Sequence, residues 1–190
     1  MGKVVLDMSI SRDGFAAGPD VTIHQPMGKS GERLHKWLFA GKTEVDSQII
    51  STIFETSGAV IVGGQTYNVA ANEAWGGISP FLMPAFVVTQ TIPEQKIDGF
   101  TYVTDGIESA LSQAQKTAGE KNVWIMGGAN LSQSLIKAGS LDEMHIHIVP
   151  VLMGNGIRLF ENIGSKHIEL VRTEMIGSHG ATHLFFRVLK

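Results

Sequence analysis

Apolar residues cluster in short runs that alternate with helical stripes through the first two thirds of the chain. Lys3–Ser9, rich in Val and Leu and closed by Ser11-Arg12-Asp13-Gly14, predicts an N-terminal strand buried on both faces. Residues 16–31 hold repeated breakers (Gly18-Pro19, Pro26, Gly28, Gly31) and little periodicity, which predicts a long surface loop of the kind that often carries function. Leu34, Trp37 and Leu38 fall at helical spacing and predict a short helix. Val45, Ile49, Ile50 and Ile53 form a longer stripe reaching Phe54, with Thr43 or Asp46 suited to cap its start. Ala59–Gly64 is a buried strand running into glycines, and Thr66–Ala71 a helical turn. Ala85–Thr89 is a further strand, and Ile107, Ala110, Leu111, Ala114 and Ala118 mark a helix over 106–118. Asn122–Met126 is another strand, followed by Gly127-Gly128 and a helix through Leu131, Leu135 and Ala138. The last third changes character. Met144, Ile146 and Ile148 alternate with His145, His147 and Val149, and Ile168/Leu170 and His183–Val188 give two more strands with no helix between them. Strand–helix alternation followed by strands alone predicts one three-layer α/β domain over residues 1–190. Its mixed sheet is mostly parallel, with antiparallel strands at the C-terminal edge.

Composition narrows the chemistry. With 190 residues and no Cys, the chain can bury a core without staples, and thiolate metal sites, iron–sulfur ligation and a cysteine nucleophile are excluded. A net charge of −3 argues against a phosphate-tracking surface, so nucleic acid is not an expected partner. No apolar run reaches the length of a membrane span, and Met1–Asp7 lacks the core of a signal peptide. A soluble cytoplasmic protein acting on a small molecule is the expectation.

The strongest local signal is Val123–Leu131. Gly127 and Gly128 between a buried strand and a helix let a ligand approach the backbone. The helix that follows aims unpaired N–H groups at the same place, which suits a phosphate or pyrophosphate. A tight strand-to-helix turn explains the same glycines equally well, and the stretch is neither a Gly-x-Gly-x-x-Gly fingerprint nor a Walker A loop. Val62-Gly63-Gly64-Gln65-Thr66-Tyr67 repeats the theme at a second strand end, and Thr89-Gln90 closes a third. Two glycine-rich carboxyl ends in one small domain point to a shared nucleotide crevice. His145 and His147 share one face of a strand. They could begin a metal site, but no third ligand is placed, and a solvated or interface face accounts for them better. His35, beside Trp37, and His24, in the long loop, suit a pocket lining and a surface position equally. Asp13 is the best-placed early acid, although a turn-forming Asp before Gly14 needs no catalytic role. Asp46, in the first turn of a helix, is likewise favoured there by the helix dipole alone.

Four segments in order (Ser9–Ala16, Val62–Tyr67, Val123–Ala129 and Val149–Gly156) resemble the dihydrofolate-reductase-like family represented by the C-terminal reductase domain of the riboflavin-biosynthesis deaminase-reductase. The resemblance spans essentially the whole chain. It implies a homodimeric NADPH-dependent reductase that passes hydride to a small heterocyclic or imine/carbonyl substrate and is similar to the 5-amino-6-(5-phosphoribosylamino)uracil reductase of riboflavin biosynthesis. By position, Gly127, Gly128, Ala129, Asn130 and Leu131 would meet the pyrophosphate. Gly63, Gly64, Gln65, Thr66, Thr89 and Gln90 would hold the adenosine side, and Ile10 would border the nicotinamide. Asp13, as catalytic acid, would face the substrate with Trp37 and Asp46. The family's phosphate-gripping Arg is replaced by Gly64, and its substrate-contacting Glu by Met126. Dihydrofolate reduction through Asp46, or a nucleotide-binding dimeric module without turnover, are the alternatives. No metal is implied.

Overall fold

A computed structural model describes residues 1–41 and 43–190. Its main sheet has eight strands in the order β5-β4-β3-β6-β1-β7-β10-β9. These are β1 (Val4–Ser11), β3 (Ser57–Gly63), β4 (Ala85–Val88), β5 (Phe100–Val103), β6 (Asn122–Gly127), β7 (Glu143–Val149), β9 (Leu170–Gly177) and β10 (Thr182–Val188). From β5 to β7 every neighbouring pair is parallel, and β10 and β9 then close the other edge antiparallel. A two-stranded ribbon, β2 (Phe15–Ala17) with β8 (Ile157–Arg158), lies apart from the main sheet. The mixed sheet and its antiparallel edge are as the sequence predicts. β5 and the ribbon are additions, because strands of two to four residues carry too little alternation to be seen. The first strand runs two residues beyond Ser9.

Helices cover both faces. On one, α4 (Ile107–Ala118) and α5 (Ala129–Lys137) bury Ala110, Ala114, Leu131 and Leu135 against Leu6, Ile61, Ile125 and Ile146. On the other, α2 (Glu44–Thr56) and α3 (Gly64–Ala70) cover Val5, Val60, Val62 and Trp124. A 3-10 turn at Gly31–His35 leads into the four-residue α1 (Lys36–Phe39), where the sequence shows one short helix; Leu34 and Trp37 join Ile49, Val149 and Ala181 in a third cluster. Alternation along β1 thus sends Leu6 and Met8 to one face and Asp7 and Ser9 to the other.

α2 departs from its predicted stripe. Thr43 and Asp46 form a reciprocal capping box, each side chain accepting from the other's backbone N–H. Asp46, Ile49 and Ile53 face inward, whereas Val45 is exposed. An acid replaces an apolar residue on the buried face because the sheet presents it with a histidine. Among the described residues no helix is long and apolar enough to cross a membrane.

Candidate active site

The carboxyl ends of β3, β4 and β6 open onto a cleft of about 590 Å³, a volume in the range of small-molecule and cofactor sites. Its floor is the junction of β6 and α5. Gly127 has φ +116°, a conformation that side chains rarely adopt, and a Cβ there would stand 2.6 Å from the Met8 sulfur, so glycine is strongly favoured. The Gly127–Gly128 peptide bond is cis. A Cβ on Gly128 would fall 2.7 Å from the Thr66 hydroxyl, which brings the two glycine-rich strand ends into contact.

α5 begins without a side-chain cap. Its intrahelical bonding starts with the Ser132 N–H donating to the Gly128 carbonyl, so the preceding amides are the ones a first turn leaves free. Gly128, Ala129, Asn130 and Leu131 all line the cleft. So do Gly63, Gly64, Gln65, Thr66 and Gln90. Nine of the expected dinucleotide-binding residues therefore share one wall and floor. Gly127 lies beneath, and Ile10 is buried in the core. Thr89 stands behind Gly64, where a Cβ would come within 3.0 Å of its side chain, and donates its hydroxyl to the Thr91 carbonyl. The opposite wall comes from the 16–35 segment through Ala16, Ala17, Pro26, Met27 and His35. The described lining holds no carboxylate, Lys or Arg, and His35 is its one titratable side chain.

His35, which the sequence suits equally to a pocket or the surface, lines the cleft in a distinctive environment. Its Nδ1 is buried with no hydrogen-bond partner. Burial pushes the imidazole down to about 4; the Gly31 carbonyl opposes this, and charge on His147 adds to it. At neutral pH His35 therefore presents a neutral ring to the cleft.

The three residues expected on the substrate side stand elsewhere. Asp13 accepts from the Ser11 hydroxyl (2.6 Å) and from the backbone N–H groups of Met153 (3.1 Å) and Gly154 (2.8 Å). The Ser11 hydrogen bond is the main reason its carboxyl falls to about 2, and the backbone donors add to it. It is an ionised anchor for the 150–156 loop and outside the cleft lining. Trp37 is buried and donates its indole N–H to the Ser9 hydroxyl at 3.0 Å. Asp46 is 0% exposed, with Oδ2 accepting from the Thr43 N–H and hydroxyl and Oδ1 3.0 Å from His183 Nε2. Burial alone would raise its carboxyl, but hydrogen bonds from Thr43, Ser178 and His183 outweigh it and hold the group below the ordinary range. A buried, fully partnered Asp46 is not in position to protonate a pterin in the cleft.

His147 corrects a further expectation. It is 1% exposed, so it is part of no solvated face; its partners are Asp7 and His183. His183 is missed by pattern reading because its strand is recognised by its neighbours Leu184 and Phe186 while the histidine looks like the polar side. Among the described residues no set of three or more His, Asp and Glu side chains is placed to hold a metal ion.

An α/β domain with a glycine-floored cleft at its parallel strand ends is the architecture of the dihydrofolate-reductase-like reductases. Residues 82–181, more than half of the chain, match the family described as the RibD C-terminal domain, and the chain belongs to that family. Two Bacillus subtilis proteins described as uncharacterized are similar along nearly their whole lengths. YwjB is 26% identical over 183 residues (95% of this chain, 96% of that one), and YyaP 26% over 187 (93% and 90%). Among solved structures, a putative riboflavin biosynthesis protein from Shewanella sp. PV-4 superposes with a TM-score of 0.76 at 18% identity, covering 99% of both chains. Dihydrofolate reductase from Enterococcus faecalis, complexed with NADP(H), gives 0.64 at 16% identity, covering 100% of this chain and 98% of that one. These two likenesses establish the fold.

Proposed function

We propose that the chain is an oxidoreductase that uses a nicotinamide dinucleotide, NADPH in the first instance, to reduce a small heterocyclic or imine/carbonyl substrate. A pyrimidine of the riboflavin pathway is the first candidate substrate class. The observation that carries this is the uncapped α5 N-terminus, which lines the floor of a carboxylate-free cleft against a second glycine-rich strand end. That donor set fits a pyrophosphate: free backbone amides, the Thr66 hydroxyl and the Gln65 and Gln90 amides, with no acid to repel it. When bound, the nicotinamide would supply the hydride, and the protein's share is placement and exclusion of water. Met8, Val69, Ile107 and Leu131 give the cleft its apolar lining. Family membership supports the reading, and so does the NADP(H) held by a dihydrofolate reductase of the same fold. The described lining offers a 2′-phosphate only hydroxyl and amide donors, which are weaker than a guanidinium fork. NADH is therefore tested beside NADPH.

Asn130→Asp is the direct test. It is nearly isosteric and puts a carboxylate at a helix N-terminus, which the helix itself favours, so the fold should keep its melting temperature. Dinucleotide affinity should fall about tenfold or more through repulsion at short range. Equal affinity in the two proteins would remove α5 from the binding site.

A further inference from the structure

Across the sheet from α4 and α5, four titratable side chains form a continuous chain, buried at Asp46, His183 and His147 and partly exposed at Asp7. His147 Nε2 lies 3.1 Å from Asp7 Oδ1, His147 Nδ1 lies 2.9 Å from His183 Nδ1, and His183 Nε2 lies 3.0 Å from Asp46 Oδ1. The elements joined are β1, β7, β10 and α2, and neither imidazole is more than 1% exposed. Each contact needs one hydrogen between its two atoms. Two neutral imidazoles carry one N–H each, which serves two of the three contacts and leaves a bare nitrogen against an oxygen or another nitrogen. An unpaired contact of that kind in a buried site is costly. Both carboxyls are held below their ordinary range. At Asp7 burial is outweighed by His147 and His145, and at Asp46 by Thr43, Ser178 and His183, so neither acid is the source of the missing hydrogen.

We propose that His147 and His183 share one extra proton, forming an imidazole–imidazolium bridge between two carboxylates, and that this charge seats Trp37 and so positions the cleft wall that carries His35. Trp37 supplies the link. Its ring lies 4.7 Å from His147 and 4.9 Å from His183, within cation–π range, and its N–H is fixed on Ser9. Gly180 closes over it, so near that a Cβ would stand 2.8 Å from the Trp37 Cβ. His35 sits two residues earlier on the same Gly31–Phe39 segment.

Other charged or titratable groups also face the bridge. His145 lies 3.4 Å from Asp7 and 3.6 Å from Glu143, at the end of the chain nearer solvent, and Ser178 approaches His183 Nε2 at 3.3 Å. Burial and the charge on His147 push His183 down, while Asp46 and Asp7 push it up. The positioning role rests on the cleft being the reaction site; the shared proton does not.

Nitrogen-15 NMR of the unmodified protein decides the matter without cofactor or substrate, so its failure is distinct from failure to bind a dinucleotide. At pH 7 three of the four ring nitrogens of His147 and His183 should be protonated; two of four would overturn the proposal. On raising the pH, the Trp37 indole N–H and His35 ring signals should shift with the midpoint at which the bridge loses its proton. Titration of the pair with both signals unmoved would overturn the positioning role. Asp7→Asn should lower that midpoint, because the amide no longer stabilises the cation, and an unchanged midpoint would contradict the charge assignment.

Discussion

Gly127 shows how tightly a single residue can define this site. Its φ of +116° strains any side chain, and an added methyl would press on the Met8 sulfur. Gly127→Ala is expected to cost about 1–3 kcal/mol in backbone strain alone, read as a lower urea midpoint with unchanged slope. Acid should find a second set of weak points. His35 titrates near 4 in the fold against an ordinary 6.5, and His183 is also pushed down, both chiefly by burial. Between those values the unfolded chain binds protons that the native state refuses, so stability must fall as pH drops from about 6.5 towards 4. Melting temperatures across that window check the sign. His35→Gln should flatten the slope, and a wild-type profile level from 6.5 to 4 would contradict the burial of these rings. Such side-chain environments are the part least legible in sequence. Asp13, Trp37 and Asp46 are chemically apt and near the correct strand ends, but pattern does not say which way they point. His183 has no local signal at all, because its partners are 36 and 137 residues away.

Elements are legible in the sequence where several positions repeat one period. The stripes of α4 and α5 and the all-apolar runs of β3, β4 and β6 stand in the sequence because burial of a whole face demands them. Short pieces such as β5 and the β2–β8 ribbon rest on tertiary pairing and leave no period. In α2 the period is present but its phase is shifted by one acid. Ile49→Ala should therefore cost about 2–5 kcal/mol, and Val45→Ala less than about 0.5, because Val45 is exposed. Equal losses would mean that the helix is rotated from the orientation described. The cap makes a separate prediction. Thr43→Ala removes the acceptor for the Asp46 N–H and should cost about 1 kcal/mol, while Thr43→Ser keeps it.

At the scale of the molecule, the sheet ends in two edge strands, β5 and β9. β9 exposes Leu170, Val171 and Met175 along the antiparallel edge, a strand that invites pairing with a second copy. A homodimer is expected. Sedimentation at micromolar concentration should find twice the chain mass, and Val171→Lys should shift it towards monomer; a monomer throughout would contradict this.

The central claim is that the parallel strand ends bind a nicotinamide dinucleotide, and a thermal-shift titration with NADPH and NADH in parallel tests it most directly. At about a hundred times its dissociation constant a ligand stabilises the native state by about 2.7 kcal/mol, a rise of several degrees for a chain this size. The account predicts that rise with at least one of the two, and its loss in Asn130→Asp. No shift with either dinucleotide, in a protein that melts cooperatively, would contradict it.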